Sequence, residues 1–182
     1  VSADASGDGV RTEQRIADTF ESQLLPYVRD KALTLAALKA DLANGLDEAG
    51  KLHGNRGSGQ GAAWNFALAD KGVIVTAKLD TRARVVGLDV DDDGTADLTI
   101  QLGPVIRGNA LRDIAPFYNF DDFRDQIEFA KLGRALNDRI SSEIVLPEGD
   151  LIGRPMSFTG VVPLKKSDEA LLVTPVSVEV MP

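Results

Sequence analysis

The apolar pattern changes period three times along this chain, and those changes constrain its fold more tightly than any motif. From Arg11 to about Lys31 the residues Ile16, Phe20, Leu24 and Val28 stand four apart and build one helix face. Thr12 is placed to cap the start. Pro26 predicts a kink or a division, because it has no N–H and its ring crowds the preceding turn. A second helix, from about Ala32 to Ala43, carries Leu35, Leu38 and Leu42 inward and closes at Asn44-Gly45 with a C-cap signature. A short third turn runs from Leu46 to Leu52, and Gly54 ends it. Residues 1–10 are small and polar, the composition of a flexible tether, which leaves 11–53 as the helical segment.

From Trp64 the period falls to two. Trp64 to Leu68 reads as extended, and Val73 to Leu79 sets Val73, Val75, Ala77 and Leu79 on one face against Thr76, Lys78 and Asp80 on the other. Arg84 to Val90 and Ala96 to Leu102 follow, joined across Asp93-Gly94, a dipeptide favoured in tight hairpins. The period then lengthens again. Asn119 is placed to cap a long helix to about Ile144, with Phe120, Phe123, Ile127 and Ala130 in one stripe and Phe129, Leu132, Leu136 and Ile140 in another. Two stripes predict burial on more than one side or a bend near Gly133. Met156 to Leu164 and Leu171 to Val180 alternate around the polar turn Lys165 to Glu169.

The order strand, strand, strand, helix, strand, strand predicts an α+β chain. Its N-terminal helices pack on a five-stranded OB-like antiparallel barrel, the oligonucleotide/oligosaccharide-binding topology, with a long helix between strands 3 and 4. A helical layer on an antiparallel sheet fits the same order. Residues 54–63 form a Gly-rich linker and 64–182 the barrel, all within one compact unit. The linker's Gly57, Gly59 and Gly61 do not suit a phosphate loop, which needs a strand before it and a helix after it.

A net charge of -8 repels phosphate backbones, and the one adjacent basic pair, Lys165-Lys166, is followed at once by Asp168 and Glu169, so no nucleic-acid partner is expected. The absence of cysteine removes disulfides, thiolate nucleophiles and Cys-metal sites together.

The sharpest chemistry lies in the hairpin Asp89-Val90-Asp91-Asp92-Asp93-Gly94-Thr95-Ala96-Asp97. Residues 89, 91 and 93 share one side of an extended strand, Gly94 turns the chain, and Asp97 returns toward the same point. Four converging carboxylates, Asp89, Asp91, Asp93 and Asp97, are hard oxygen ligands suited to Ca²⁺. An EF-hand is excluded, since its twelfth position is Ile100 where a bidentate Glu belongs, and the pattern is closer to the calcium loops on β-hairpins of integrin-type propeller repeats. A solvated acidic turn is the competing reading.

Catalytic machinery is sparse. The single histidine, His53, stands beside the glycine-rich segment, and Asp121, Asp122, Asp125 and Glu128 fall in the first turns of a helix, where negative charge is favoured in any case. No enzyme is therefore expected. Arg107 and Arg112, with Asn109 as a helix cap, are placed to clamp a carboxylate or a pair of sugar hydroxyls, or else to tie their loop to Asp113 and Asp122. Trp64 and Asn65 offer a ring and an amide of the kind used on sugars, or a ring for the core.

In combination several segments resemble a known family. They are Leu25-Pro26-Tyr27-Val28 with Asp30-Lys31-Ala32, Trp64-Asn65-Phe66, Val90 to Gly94 with Ala96-Asp97, and above all Gly103 to Gly108 with Ala110-Leu111-Arg112-Asp113. Asn119-Phe120, Phe123, Gln126-Ile127-Glu128 and Ala135-Leu136-Asn137 complete the set. The family is the predicted periplasmic lipoproteins, domain-of-unknown-function family 2291. The resemblance implies a periplasmic location, a lipid anchor on a cysteine that this sequence does not contain, and a setting beside sugar ABC-transporter genes. It thereby implies a non-catalytic accessory or ligand-binding role, with an ABC-transporter component or a small sugar as partner. A structural module stiffened by a calcium hairpin is the alternative.

Overall fold

Alternation along the strands sorts the apolar residues onto two sides of one closed sheet, and the helices cover what is left on the outside. The computed structural model describes residues 7–57 and 61–182. Helices α1 (Asp8–Thr19), α2 (Leu25–Lys31), α3 (Leu35–Leu42) and α4 (Leu46–His53) precede the short strand β1 (Asn55–Arg56). Strands β2 (Trp64–Lys78), β3 (Ala83–Asp89) and β4 (Leu98–Pro104) follow, then α5 (Ala110–Asp113) and α6 (Gln126–Glu143), and finally β5 (Pro155–Leu164) and β6 (Leu172–Val180).

The strands run in the order β2-β3-β4-β6-β5, and β5 pairs back onto β2, so five strands close into a barrel with β1 appended to β2. All neighbours are antiparallel except β4 and β6, which are parallel through Thr99↔Leu172 and Ile100↔Val173. Closure requires one strand to serve two partners. The fifteen-residue β2 does so, pairing with β5 from Trp64 to Val73 and with β3 from Val73 to Lys78. Gly72 lies at this crossover, where a Cβ would fall 2.8 Å from the Asp89 carbonyl carbon. The two extended stretches expected at 64–68 and 73–79 are thus one strand. Asp70 and Lys71 interrupt the apolar alternation, but they keep their backbone pairing to Phe158 and Ser157.

Phe66, Leu68, Ile74, Leu88, Ile100, Leu102, Val162 and Leu164 fill the barrel, with Leu35, Leu38 and Leu42 of α3 packed on the same cluster. The intervening residues Ala67, Val161 and Val176 face outward onto Phe20, Leu24, Val28, Leu111, Leu132, Leu136 and Ile140 of the helices.

Several sequence expectations are corrected. The tether ends by Gly7, because α1 begins at Asp8, and residues 1–6 of that expected tether lie outside the described residues. Thr12 is not a cap: it is buried inside α1, and its hydroxyl has no partner among the described residues. Pro26 enters the first turn of α2 after a π turn, Phe20–Leu24, whose widened bond joins Leu25 N–H to the Phe20 carbonyl. The linker contains β1, with residues 58–60 outside the described set. Asn119 caps only the 3-10 turn Phe120–Asp122, and Asp125 caps α6 by accepting from Glu128 N–H at 3.0 Å. Helix α6 therefore has one buried stripe, Phe129 to Ile140, while Ile127 is 62% exposed. Gly133 is no bend but a gap: a Cβ there would run into the Asn109 amide oxygen.

Candidate functional site

The β3–β4 connection is an eight-residue acidic loop and not a tight turn, because strand pairing stops at Leu88↔Leu98 and Asp97 N–H still reaches the Leu88 carbonyl. Asp92 and Gly94 take positive φ, 62° and 85°, which coils the loop back over its own start. Its carboxylates fold onto its amides. Asp89, 5% exposed, accepts from Gly94 N–H at 2.8 Å and from Asp93 N–H at 3.3 Å. Asp97 accepts from Val90 N–H at 2.7 Å and Asp91 N–H at 3.3 Å, and Asp93 accepts from both the Thr95 amide and hydroxyl at 2.9 Å.

Asp89, Asp91, Asp93 and Asp97 each present one carboxylate oxygen within 4.8 Å of the others, and among the described residues none of the four has a cationic partner. Burial, and then the neighbouring Asp93, Asp97 and Asp89, push the Asp91 carboxyl above its ordinary range; the Thr95 amide and hydroxyl hold Asp93 below it. Such a set is short of positive charge. Oxygens on opposite sides of a Ca²⁺ bonded at 2.3–2.6 Å would lie about 4.6–5.2 Å apart, which suits this spacing.

The expected ligand-binding residues do not share one cleft. Trp64 stacks on Gly50 of α4, gives its Nε1–H to Asp47 at 3.0 Å and receives the Arg56 guanidinium over its ring at 5.4 Å. Asn65 is buried, and its Nδ2 donates to the carbonyls of Asn55 and Ala63, fastening β1. Arg112 pairs with Asp113 at 2.7 Å and lies 3.8 Å over the Phe129 ring. These three hold the fold together. Arg107 is exposed, and its backbone is clasped by the Gln101 side chain. Asn109 precedes α5 but makes no side-chain cap, and it packs on Gly133 instead.

His53 is engaged with Asp41 at 2.5 Å. Glu128 is buried between Arg11, at 2.7 Å, and the Arg124 amide, at 2.6 Å; burial opposes its charge, but these donors prevail and hold its carboxyl low. Asp8 was missed by sequence reasoning. Buried at the start of α1, it accepts from Arg124 at 2.6 Å, Lys131 at 3.3 Å and Arg11, and the Arg124 bond foremost draws its carboxyl down to about 2. Arg11 is its neighbour one turn along α1, but Arg124 and Lys131 lie over a hundred residues away, beyond any local pattern. Gln101 and Asn137 were missed because Thr174, 73 residues from Gln101, and the Ile106 and Gly108 carbonyls, about 30 from Asn137, meet them only in the folded chain.

A closed five-stranded barrel wrapped by helices, with polar loops at the strand ends, defines a protein of the OB-fold class. A crystal structure of an OB-fold protein from Thermotoga maritima is similar over 87% of this chain and 98% of that one, with a TM-score of 0.64 at 17% identity. An OBody bound to hen egg-white lysozyme has a TM-score of 0.33 at 13% identity, over 64% of this chain and 81% of that one. No curated protein matches the sequence. The model of the family described as predicted periplasmic lipoprotein (DUF2291) matches residues 1–179, and the chain belongs to that family. Membership places the protein in the periplasm, tethered to the membrane as a lipoprotein.

Proposed function

We propose that the protein is a non-catalytic interaction module of the periplasmic membrane surface whose β3–β4 loop binds Ca²⁺. The observation that carries this reading is the convergence of four carboxylate oxygens within 4.8 Å without a cationic partner among the described residues. A cation there relieves mutual repulsion and fixes the loop tip at the end of the β3–β4 ladder. The non-catalytic part is supported by the pairing of the available acid–base groups: His53 with Asp41, and Glu128 with Arg11. The family resemblance adds a setting as accessory to a sugar-uptake system. In that setting a ligand meets the protein away from Trp64, Asn65 and Arg112, which are spent on internal contacts.

Thermal unfolding with added CaCl₂ tests the reading. A loop of extracellular-type affinity, Kd about 10⁻⁴–10⁻³ M, at about 10 mM Ca²⁺ stabilises by about 1.4–2.7 kcal/mol, or roughly 3–10 °C for a chain of this length. EDTA reverses the gain, and Asp91→Asn with Asp93→Asn abolishes it. A melting temperature indifferent to Ca²⁺ would sink the proposal.

A further inference from the structure

A cleft of about 410 Å³ opens at the other end of the β3–β4 ladder, against α6. Ala83 pairs with Pro104 at that end, so Arg82 and Val105 flank the opening, and Asn109, Arg134, Asn137 and Asp138 complete it. Its wall is a loop pinned at several points. Val105 N–H donates to the Arg82 carbonyl at 2.9 Å, Arg107 N–H to Gln101 Oε1 at 2.9 Å, and Asn137 Nδ2 to the Gly108 carbonyl at 2.8 Å. Gln101 is itself buried and anchored to Thr174 at 3.1 Å. The cleft is therefore pre-formed by the fold.

Two features mark it as a binding site. Arg82 and Arg134 both line it and are exposed, and among the described residues neither makes an ion pair, although the chain carries 28 acidic residues against 20 Lys and Arg. Arg11, Arg112, Arg124 and Arg139, by contrast, are all paired. The second feature is Asn137, 6% exposed. Its Nδ2 faces the carbonyls of Gly108 and Ile106, which fixes the amide, since the flipped form would set oxygen against oxygen. Its Oδ1 is left buried with no donor among the described residues.

We propose that this cleft binds a small hydroxy-acid anion, its carboxylate held by Arg82 and Arg134 and a neighbouring hydroxyl donated to Asn137 Oδ1. The chemistry selects the class. Guanidinium groups only donate and match a planar carboxylate, whereas Asn137 Oδ1 and the Asp138 carboxylate only accept and so require a ligand that also donates. A bare carboxylate leaves the acceptors unmet, and a neutral polyol leaves the arginines unmet.

Calorimetric titration of the whole chain with gluconate, acetate and glucose, at fixed ionic strength and in EDTA, tests this. Gluconate binds saturably, and acetate and glucose bind at least about tenfold more weakly. Arg134→Gln, on an exposed side chain, keeps the wild-type melting temperature and weakens gluconate about tenfold, the loss of one charge-assisted contact. Arg82→Gln does the same. Absent gluconate binding, acetate binding as tight as gluconate, or an unchanged affinity in Arg134→Gln overturns the proposal. The cleft and the acidic loop occupy opposite ends of one ladder, and EDTA removes Ca²⁺ from the titration, so failure here is distinct from failure of the calcium reading.

Discussion

Replacing Gly50 by alanine tests how the helical cap is joined to the barrel. Gly50 lies in the middle of α4, where alanine would ordinarily stabilise by about 0.5–1 kcal/mol through helix propensity. Here the face of Trp64, at the start of β2, rests on the glycine. A Cβ would stand 2.5 Å from Cε2 and Cε3 of the indole and closer still to Cδ2. Restoring the ~3.5 Å at which carbon atoms attract requires the ring or the helix to withdraw by at least about 1 Å. The ring is not free to do so, being bonded to Asp47 through Nε1 and covered by Arg56. Overpacking of this kind costs about 1–3 kcal/mol, which set against the propensity gain leaves a net loss of up to about 2.5 kcal/mol, or up to roughly 10 °C in Tm. Trp64 is the one tryptophan, so its fluorescence reports the displacement while thermal or urea unfolding reports the energy. In a Trp64→Ala background the same substitution becomes stabilising by up to about 1 kcal/mol, because only the propensity term is left. If Gly50→Ala raises stability equally in both backgrounds, the ring does not rest on the helix and the reasoning is wrong.

Acid titration should reveal the Asp8 network. Its carboxyl is lowered from 3.8 to about 2, so its stabilisation is present above about pH 4 and is lost as pH falls through 2. The Tm difference between wild type and Asp8→Asn should accordingly shrink across that window, and a difference constant from pH 6 to 2 would contradict it. Gln101→Ala strips the donor from the Arg107 carbonyl and the acceptor from its N–H, and should cost about 1–3 kcal/mol in urea unfolding. It should also speed hydrogen exchange at the Arg107 amide, and unchanged exchange there would show that the loop is held by other means.

Much of the barrel was legible in the sequence, because a strand that buries one face writes its orientation into residues two apart, as Phe66, Leu68, Val162 and Leu164 do. The acidic loop was legible too, since Asp89, Asp91, Asp93 and Asp97 are close in the chain and need only a turn to meet. Helix boundaries were less so. Asp8, at the start of α1, is held by Arg124 just before α6 and by Lys131 on it, and Asp125 displaced Asn119 as cap because two local candidates competed for one role. What the sequence determined by itself was therefore periodic or local: the helix-then-strand order and the cluster of carboxylates, whereas the inward face expected at 73–79 was wrong, since a bulge between Ile74 and Thr76 leaves Ile74 buried and Val73 and Leu79 exposed. Only the tertiary structure decided which polar residues are left to act. It committed Trp64 to α4, Asn65 to β1 and Arg112 to Asp113 and Phe129, and it left Arg82 and Arg134 without acidic partners among the described residues beside Asn137. The physical reason is that burial and pairing of a polar side chain depend on residues brought together by barrel closure, across separations that no local pattern records.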